Sequence, residues 1–148
     1  MVDILTRKIY LGGGMSGLTY DNYSEWRDDV VYILENKYRD YGFTWRPIFC
    51  NPVDYYNFEN PVHKTEKEVM LYDLFRLKES DLVLVNFNDP GSLGTMSEMA
   101  IAYDNKIPII GLNIDDEEML HPWQKEMCNR IFDNFEETIN YIIKYFLK

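Results

Sequence analysis

A segment rich in glycine and serine leads directly into a glutamate at residues 89–98 (DPGSLGTMSE). Where such a loop enters a helix, backbone N–H groups and the positive end of the helix dipole face the space in front of it. We expect the helix to begin at about Thr95. Glu98 would then lie in its first turn and stay ionised, as suits a nucleophile or a group that stabilises developing positive charge. The alternative is a structural glutamate that completes a capping box with Thr95.

Four glycines follow the first apolar run of the chain, within residues 10–18 (YLGGGMSGL). Glycine allows positive φ angles and a close approach of the backbone to a ligand, with N–H groups free to meet oxygen atoms. A tight turn that needs no ligand is the alternative. The dinucleotide-binding pattern does not fit, because no acidic residue ends the second predicted strand. Tyr10, just before the glycines, is either a hydrogen-bond donor to a carboxylate or a core tyrosine.

A second carboxylate, Asp73, lies on a predicted helix just before the most apolar run of the chain. It is either a general acid that points toward the strand ends or a partner of Arg76, three residues later. His63 and His121 are far apart in sequence and show no pattern of partners. The only two cysteines are widely spaced, which argues against a metal site or a disulfide framework and favours a reducing cytoplasm.

Short β-rich runs alternate with helical patterns along the whole chain. We predict strands at residues 7–11, 44–49, 81–86, 107–112 and 130–132, and helices at about 22–41, 65–79, 95–104, 122–128 and from 135 onward.

Local signals add detail to these elements. Pro47 indicates that the second strand lies near an edge of the sheet, and the almost continuous apolar run at 81–86 indicates a central strand. Thr65 and Asn134 are the predicted N-caps of the second and last helices. The predicted apolar stripes are Trp26, Val30 and Ile33 on the first helix and Met70, Leu74 and Leu77 on the second.

The alternation predicts one α/β domain over residues 1–148, an open parallel sheet of about five strands, Rossmann-like or flavodoxin-like, with helices on both faces. Ligands bind at the carboxyl ends of such strands, which selects the loops after the first, third and fourth strands.

The composition limits the possible partners. The net charge of −10 disfavours binding to long nucleic acid, whose phosphates would be repelled. No run is apolar and long enough for a membrane helix, and the N-terminus lacks a signal-peptide pattern. Twelve tyrosines exceed what packing needs, and tyrosine is common in sites that stack on and hydrogen-bond a ring.

Taken together, the motifs resemble the nucleoside 2-deoxyribosyltransferase family. Residues 8–18 (KIYLGGGMSGL) are similar to the family's opening strand and loop, and residues 72–84 to its helix and central strand. Residues 94–102 (GTMSEMAIA) resemble its G-x-x-x-E-x-G-x-A signature. The resemblance covers the chain from Lys8 to about Asn113. It implies an enzyme that cleaves the N-glycosidic bond of nucleosides without a metal or cofactor.

The resemblance also implies a role for each site residue. Glu98 would attack the anomeric carbon and form a glycosyl ester, which another base (in a transferase) or water (in a hydrolase) then resolves. Tyr10 would orient Glu98, and Asp73 would assist protonation of the leaving nucleobase. The predicted substrate-binding residues are Gly12, Gly13, Gly14, Met15, Ser16, Gly17, Asp89, Ser92, Gly94, His121 and Trp123. A homo-oligomer with pockets shared between subunits is also implied, with residues 120–123 as the contributing segment or, alternatively, a surface turn.

Two departures from the family pattern keep other functions open, and one of them is Gly13-Gly14 where the family usually has Gly-Pro. Ser92 stands where the transferases usually carry an aspartate, and residues 92–98 instead resemble the deoxynucleoside 5'-monophosphate N-hydrolases. Those enzymes hold phosphate with an arginine in the first loop, where this chain has Ser16. Residues 90–98 also resemble the P-G-G-x-G-T-x-x-E motif of cytokinin-type phosphoribohydrolases, which supports the type of bond rather than the substrate. A nucleotide-binding or sensing domain without turnover is the remaining alternative.

Overall fold

Five parallel strands form one sheet in the order β2-β1-β3-β4-β5 in the computed structural model, which describes residues 3–15, 17–55, 63–114 and 119–148. The strands are β1 (Thr6–Gly13), β2 (Arg46–Cys50), β3 (Leu82–Asn86), β4 (Ile109–Leu112) and β5 (Arg130–Phe132). The predicted α/β fold with an open parallel sheet is therefore confirmed. Ser16, one of the predicted substrate-binding residues, lies outside the described residues.

Strand β1 is longer than predicted. Gly12 and Gly13 continue it and pair with Val85 and Asn86 of β3, so these glycines belong to the sheet rather than to a loop. The predicted edge position of β2 is confirmed, and its Pro47 lies where one side of the strand has no neighbour. All five residues of β3 are buried, as expected for a central strand covered on both faces.

Five α-helices connect and cover the strands: α1 (Tyr20–Tyr41), α2 (Glu66–Lys78), α3 (Leu93–Asp104), α4 (Pro122–Met127) and α5 (Phe135–Ile142). A short 3₁₀ turn (Pro52–Asp54) follows β2, and a π-helical turn (Ile143–Leu147) extends α5. The predicted short helix and last strand are confirmed as α4 and β5. None of the helices in the described ranges combines the length and apolar character of a membrane span.

Local capping explains where the helices begin and end. The Thr65 side chain accepts a hydrogen bond from the Glu68 N–H, and the Asn134 side chain accepts one from the Glu137 N–H, so both predicted N-caps are confirmed. Helix α1 ends at Gly42, whose φ of 62° is left-handed. Helix α3 begins two residues earlier than predicted, because its N-cap is Ser92.

The two faces of the sheet have separate apolar clusters. On one face α1 and α5 pack against Ile9, Leu11, Leu82, Leu84, Ile110 and Leu112. On the other face α2 and α3 pack against Tyr10, Val83, Val85 and Ile109. Successive residues of β1 thus point to opposite faces, and Tyr10 faces α2 and α3.

Two helical stripes differ from the prediction. The buried stripe of α1 contains Arg27 with Val30 and Leu34, whereas the predicted Trp26 and Ile33 are only partly buried. On α2, Leu77 is buried as predicted, but Met70 is 51% exposed. Met70 stays exposed because it lines an open cavity between α2 and α3 rather than the core.

Candidate active site

A cavity of about 580 Å³ opens at the carboxyl ends of β1 and β3. From β1 the chain continues to β2 on one side of that strand and then returns to β3 on its other side. The cavity therefore lies at the topological switch point of the sheet, between β1 and β3. Its volume is within the roughly 300–1,000 Å³ of ligand pockets. Helices α2 and α3, the end of β1 and the loop after β3 supply the lining residues, which include Gly13, Met15, Met70, Asp73, Asp89, Ser92, Gly94, Thr95 and Glu98.

Glu98 is the sixth residue of α3 and lines this cavity. Its place in the second turn corrects the prediction of a first-turn position, and the proposed capping box with Thr95 is wrong as well. The pKa of Glu98 is shifted toward the protonated form, against the expectation that the helix start favours its ionisation. The pKa of Glu98 is raised to about 7, mainly by burial and also by the charge of Asp73, against the lowering effects of Tyr10 and Arg27.

Tyr10 meets Glu98 from β1. The tyrosine is fully buried, and its hydroxyl is close enough to lower the pKa of Glu98. Neither Tyr10 Oη nor Glu98 Oε2 forms a hydrogen bond of regular geometry with a described residue. Burial and the neighbouring Glu98 raise the pKa of Tyr10, so the phenol stays protonated and can donate. Tyr10 is thus both a core tyrosine and a neighbour of the Glu98 carboxylate, so the two roles considered for it from the sequence do not exclude each other.

Asp73 completes the group from α2. Its Oδ1 atom accepts a hydrogen bond of 2.5 Å from the Tyr55 hydroxyl. Burial raises the pKa of Asp73, whereas the Tyr55 hydrogen bond, His63 and Arg27 lower it. The alternative pairing with Arg76 is not found, and Arg76 instead donates to the Tyr72 hydroxyl at 2.9 Å. Asp73 is therefore held by a tyrosine that the sequence did not single out.

Two rings, those of Tyr72 and His63, pack around Tyr55, the hydrogen-bond partner of Asp73. The Tyr55 and Tyr72 rings meet edge to face with 4.7 Å between centroids, and the His63 ring lies 5.0 Å from Tyr72. The high number of tyrosines was the available indication of such an aromatic group. Nothing in the local sequence around Tyr55, however, indicated a contact with residue 73.

The glycines of the first loop have structural roles for the most part. A Cβ atom on Gly14 would lie 2.7 Å from Cβ of Asp89, so only glycine allows the β1 and β3 loops to pack here. The Gly14 N–H, expected to be free for a ligand, donates to Asn88 Oδ1 at 3.2 Å. Gly17 has the positive φ, 79°, but does not line the cavity. Of the described residues between 12 and 17, Gly13 at the end of β1 and Met15 line the cavity.

Ser92 and Thr95 define the start of α3. Ser92 Oγ accepts a hydrogen bond of 3.3 Å from the Thr95 N–H and so caps the helix. The Thr95 hydroxyl is buried and has no partner among the described residues, although it lines the cavity. Buried polar atoms are nearly always hydrogen-bonded, so Thr95 and Glu98, which both line the cavity, are groups that a polar ligand would satisfy.

His121 and Trp123 are not brought into this cavity. They line a neighbouring cavity of about 800 Å³ that shares Asp89, Ser92 and Leu93 with the first. His121 is the N-cap of α4, because its Nδ1 atom accepts a hydrogen bond of 3.1 Å from the Trp123 N–H. The Trp123 ring is 69% exposed.

The charged side chains that line the first cavity are all carboxylates: Glu66, Asp73, Asp89 and Glu98. No lysine or arginine of the described residues lines it, and the residues outside the described ranges contain neither type. No set of three or more His, Cys, Asp or Glu side chains in the described ranges has an arrangement that could hold a metal ion. The charge of this lining disfavours an anionic ligand.

Comparison with solved structures finds the same fold in proteins of low sequence identity. A conserved protein from Enterococcus faecalis V583 matches with a TM-score of 0.72 at 16% identity, over 94% of this chain and 98% of that one. A 2-deoxyribosyltransferase from Bacillus psychrosaccharolyticus matches with 0.65 at 20%, over 90% and 91%. A CMP N-glycosidase from Clostridium botulinum matches with 0.55 at 17%, over 94% and 99%.

No protein-family model matches the sequence, and a comparison with curated proteins finds no match either. At the identities given, the structural likeness shows the fold. The resemblance predicted from the motifs is confirmed at this level: the chain folds like 2-deoxyribosyltransferases and like an N-glycosidase that acts on a nucleotide.

Proposed function

We propose that the protein cleaves the N-glycosidic bond of a 2'-deoxynucleoside and transfers the deoxyribosyl group to another base through an ester of Glu98. The observation that carries this proposal is the meeting of Glu98, Tyr10 and Asp73 beside one cavity at the switch point of the sheet. The three residues come from β1, α2 and α3, so their convergence is a property of the fold. The fold shared with 2-deoxyribosyltransferases supports the same chemistry.

In the first step, a carboxylate oxygen of Glu98 bonds to the anomeric carbon of the sugar. The bond from that carbon to the base nitrogen breaks, its electron pair leaves with the base, and Asp73 supplies a proton to the base. The raised pKa of Asp73 supports this role, because it favours the protonated form. Tyr10 donates toward Glu98 and holds the carboxylate for the attack.

In the second step, a nitrogen of the acceptor base attacks the same carbon. The ester bond breaks, its electrons return to the Glu98 carboxylate, and the proton of the acceptor nitrogen passes to Asp73. Both residues are then in their starting states. Two displacements at one carbon retain the configuration of the sugar, as in retaining glycosidases.

The charge of the cavity favours a nucleoside over a nucleotide. A 5'-phosphate would add about two negative charges next to Asp73, Asp89 and Glu98, with no lining cation to offset them. The alternative is a deoxynucleoside 5'-monophosphate N-hydrolase. Ser92 and the fold shared with a CMP N-glycosidase favour it, and so it is the second candidate.

The decisive experiment supplies a deoxynucleoside and a second free base and follows both nucleosides by chromatography. We expect a new nucleoside to form only when both substrates are present. Release of base from the 5'-monophosphate without an acceptor would favour the hydrolase instead. Thermal stabilisation by nucleosides without any turnover of nucleoside or nucleotide would leave a binding or sensing domain.

The predicted homo-oligomer belongs to this proposal. Large apolar side chains are exposed on the two helices that line the cavity, among them Leu71 and Phe75 on α2 and Leu93 on α3. Adjacent exposed apolar side chains are typical of a surface that a partner covers. We expect light scattering to give the mass of a dimer or a larger assembly, and a monomer at micromolar concentration would contradict the shared pocket.

A further inference from the structure

Arg27 is a buried cation that the proposed reaction has not used. Its side chain is 1% exposed, and it is among the largest fully buried side chains of the protein. The ion pairs among the described residues are Lys8–Glu79 and Arg39–Asp40, so no carboxylate there lies within ion-pair distance of Arg27. Burial of a guanidinium without a paired anion is costly, and its position therefore requires an explanation.

The guanidinium binds the end of β1. Its Nε atom donates to the Leu11 carbonyl and its Nη2 atom to the Gly13 carbonyl, both at 3.2 Å. The Nη1 atom donates to the Tyr23 carbonyl of its own helix, and the group lies 4.7 Å from the Trp26 ring centroid. The planar fork of arginine suits this set of acceptors, so Arg27 holds the strand end from which the cavity wall continues.

Arg27 on α1 and Glu98 on α3 belong to helices on opposite faces of the sheet, and the charge of Arg27 lowers the pKa of Glu98. Helix α1 packs on one face of the sheet and α3 on the other, and the strand between them ends in glycines, which carry no side chain. Carbonyl dipoles offset only part of a full charge. The charged and titratable groups around Arg27 are Glu98 from α3, Asp73 from α2, Tyr10 from β1 and Tyr55 from the loop after β2.

We propose that Arg27 is a positioning residue that braces the end of β1 and holds Glu98 in its ionised, attacking form. This inference rests on the proposed function of Glu98 as the nucleophile. Burial and Asp73 act against ionisation of Glu98, while Tyr10 and Arg27 act for it. Arg27 is the only one of these groups with a positive charge.

The test compares three variants. Arg27→Met removes the charge and the hydrogen bonds, and Arg27→Lys keeps the charge but loses the fork. Arg7→Met is the matched control, because Arg7 lies near the start of β1, stacks on Trp45 and leaves the same net charge when replaced. The measurement is the dependence of kcat/KM on pH for each folded variant.

We expect the acid limb of the Arg27→Met profile to move up by at least about one pH unit, which lowers kcat/KM about tenfold below neutrality. Arg27→Lys should keep the wild-type limb but raise KM, because the strand end is held less well. Arg7→Met should match the wild type. A folded Arg27→Met with an unchanged limb would overturn the proposal.

The inference stays testable if a variant or the activity fails. If Arg27→Met does not fold, Arg27→Lys decides alone, and a moved limb with an unchanged KM would contradict it. If the wild type has no turnover, the proposed function fails separately. Carbon-13 NMR titration of Glu98, assigned with Glu98→Gln, then compares wild type, Arg7→Met and Arg27→Met, with the neutral Arg27→Gln in place of Arg27→Met if that variant does not fold. Equal titration in all three refutes the role of the Arg27 charge.

Discussion

The two cavities on either side of residues 89–93 differ in how their polar groups are used. In the larger, neighbouring cavity, His121 and Gln124 form the capping box of α4, and Gln124 also donates to the Pro90 carbonyl at 2.9 Å. In the cavity of Glu98, the Thr95 hydroxyl and Glu98 Oε2 are buried without a partner in the described part of the chain.

This difference separates groups that maintain the fold from groups available to a ligand. A polar atom that already has its partner gains little from a substrate, whereas a buried atom without one gains a full hydrogen bond. The volume of the cavities and the exposure of Trp123 alone would have favoured the neighbouring cavity as the ligand site. The state of the polar groups favours the cavity of Glu98.

The largest expected effect is that of Glu98→Ala. Removal of the nucleophile should lower kcat by at least about 10⁴-fold, because the glycosyl ester forms on the Glu98 carboxylate. The control is Glu136→Ala, which removes an exposed helical carboxylate on α5. Equal folding of both variants by circular dichroism, with exchange activity retained in Glu98→Ala, would refute the assigned nucleophile.

Asp73→Asn should lower the rate by about 10²- to 10⁴-fold, because the leaving base is no longer protonated. The loss should shrink for a deoxynucleoside whose base leaves readily without a proton. Tyr55→Phe, which removes the 2.5 Å hydrogen bond to Asp73, should cause a smaller loss in the same direction. Equal losses for both leaving groups would argue that Asp73 serves only in binding.

The activity should depend on pH through Glu98. Since the attacking form is ionised and its pKa is about 7, kcat/KM should fall about tenfold per pH unit below that value. Tyr10→Phe removes a group that lowers this pKa, so its acid limb should move to higher pH. A profile that is flat between about pH 5 and about pH 8 would contradict an essential carboxylate with this pKa.

The free energy of unfolding should also depend on the protonation of Glu98, but here the protonated form is the favourable one. Burial raises the pKa of Glu98 from 4.5 to about 7, so the folded state binds its proton more tightly than the unfolded state and loses stability as pH rises through this window. Glu98→Gln has no such loss. The free energy of unfolding of the variant minus that of the wild type should therefore be about 3 kcal/mol greater at pH 8 than at pH 4. Urea unfolding at both pH values measures it, and equal differences would show that Glu98 is not desolvated.

The smallest effect should come from the neighbouring cavity. His121→Ala removes an N-cap and should lower the free energy of unfolding by about 1 kcal/mol, a Tm decrease of about 2–4 °C, with kcat unchanged. Ser92→Ala removes the cap of α3 at a similar cost but should also lower kcat, because Ser92 lines the cavity of Glu98. A loss of kcat in His121→Ala would bring the neighbouring cavity into the reaction.

Local patterns were sufficient for most of the fold. Apolar runs predicted the central strand, Pro47 predicted an edge strand, and Thr65 and Asn134 predicted helix starts, because each depends on residues close in sequence. The start of α3 was wrong by two residues because two hydroxyls, Ser92 and Thr95, competed for the cap. Only the surrounding packing selected the first.

Arg27 shows why part of the site was missed. Spacing of 3.6 residues per turn is compatible with a stripe through Trp26 or one through Arg27, and a charged residue is normally assigned to the solvent side. The carbonyls of Leu11 and Gly13 make its burial possible, and these belong to a strand far from α1 in sequence. A stripe of Tyr23, Arg27, Val30 and Leu34 was the available signal.

By itself the sequence determined the alternation of strands and helices, the sheet edge where ligands bind and the carboxylates Glu98 and Asp73 as candidates, because short-range patterning and motif order carry that information. Only the tertiary structure decided the protonation of Glu98, the partner of Asp73 and the structural use of Gly14 and His121. The physical reason is that burial, electrostatic coupling and close approach depend on distances between residues that the chain brings together from different elements.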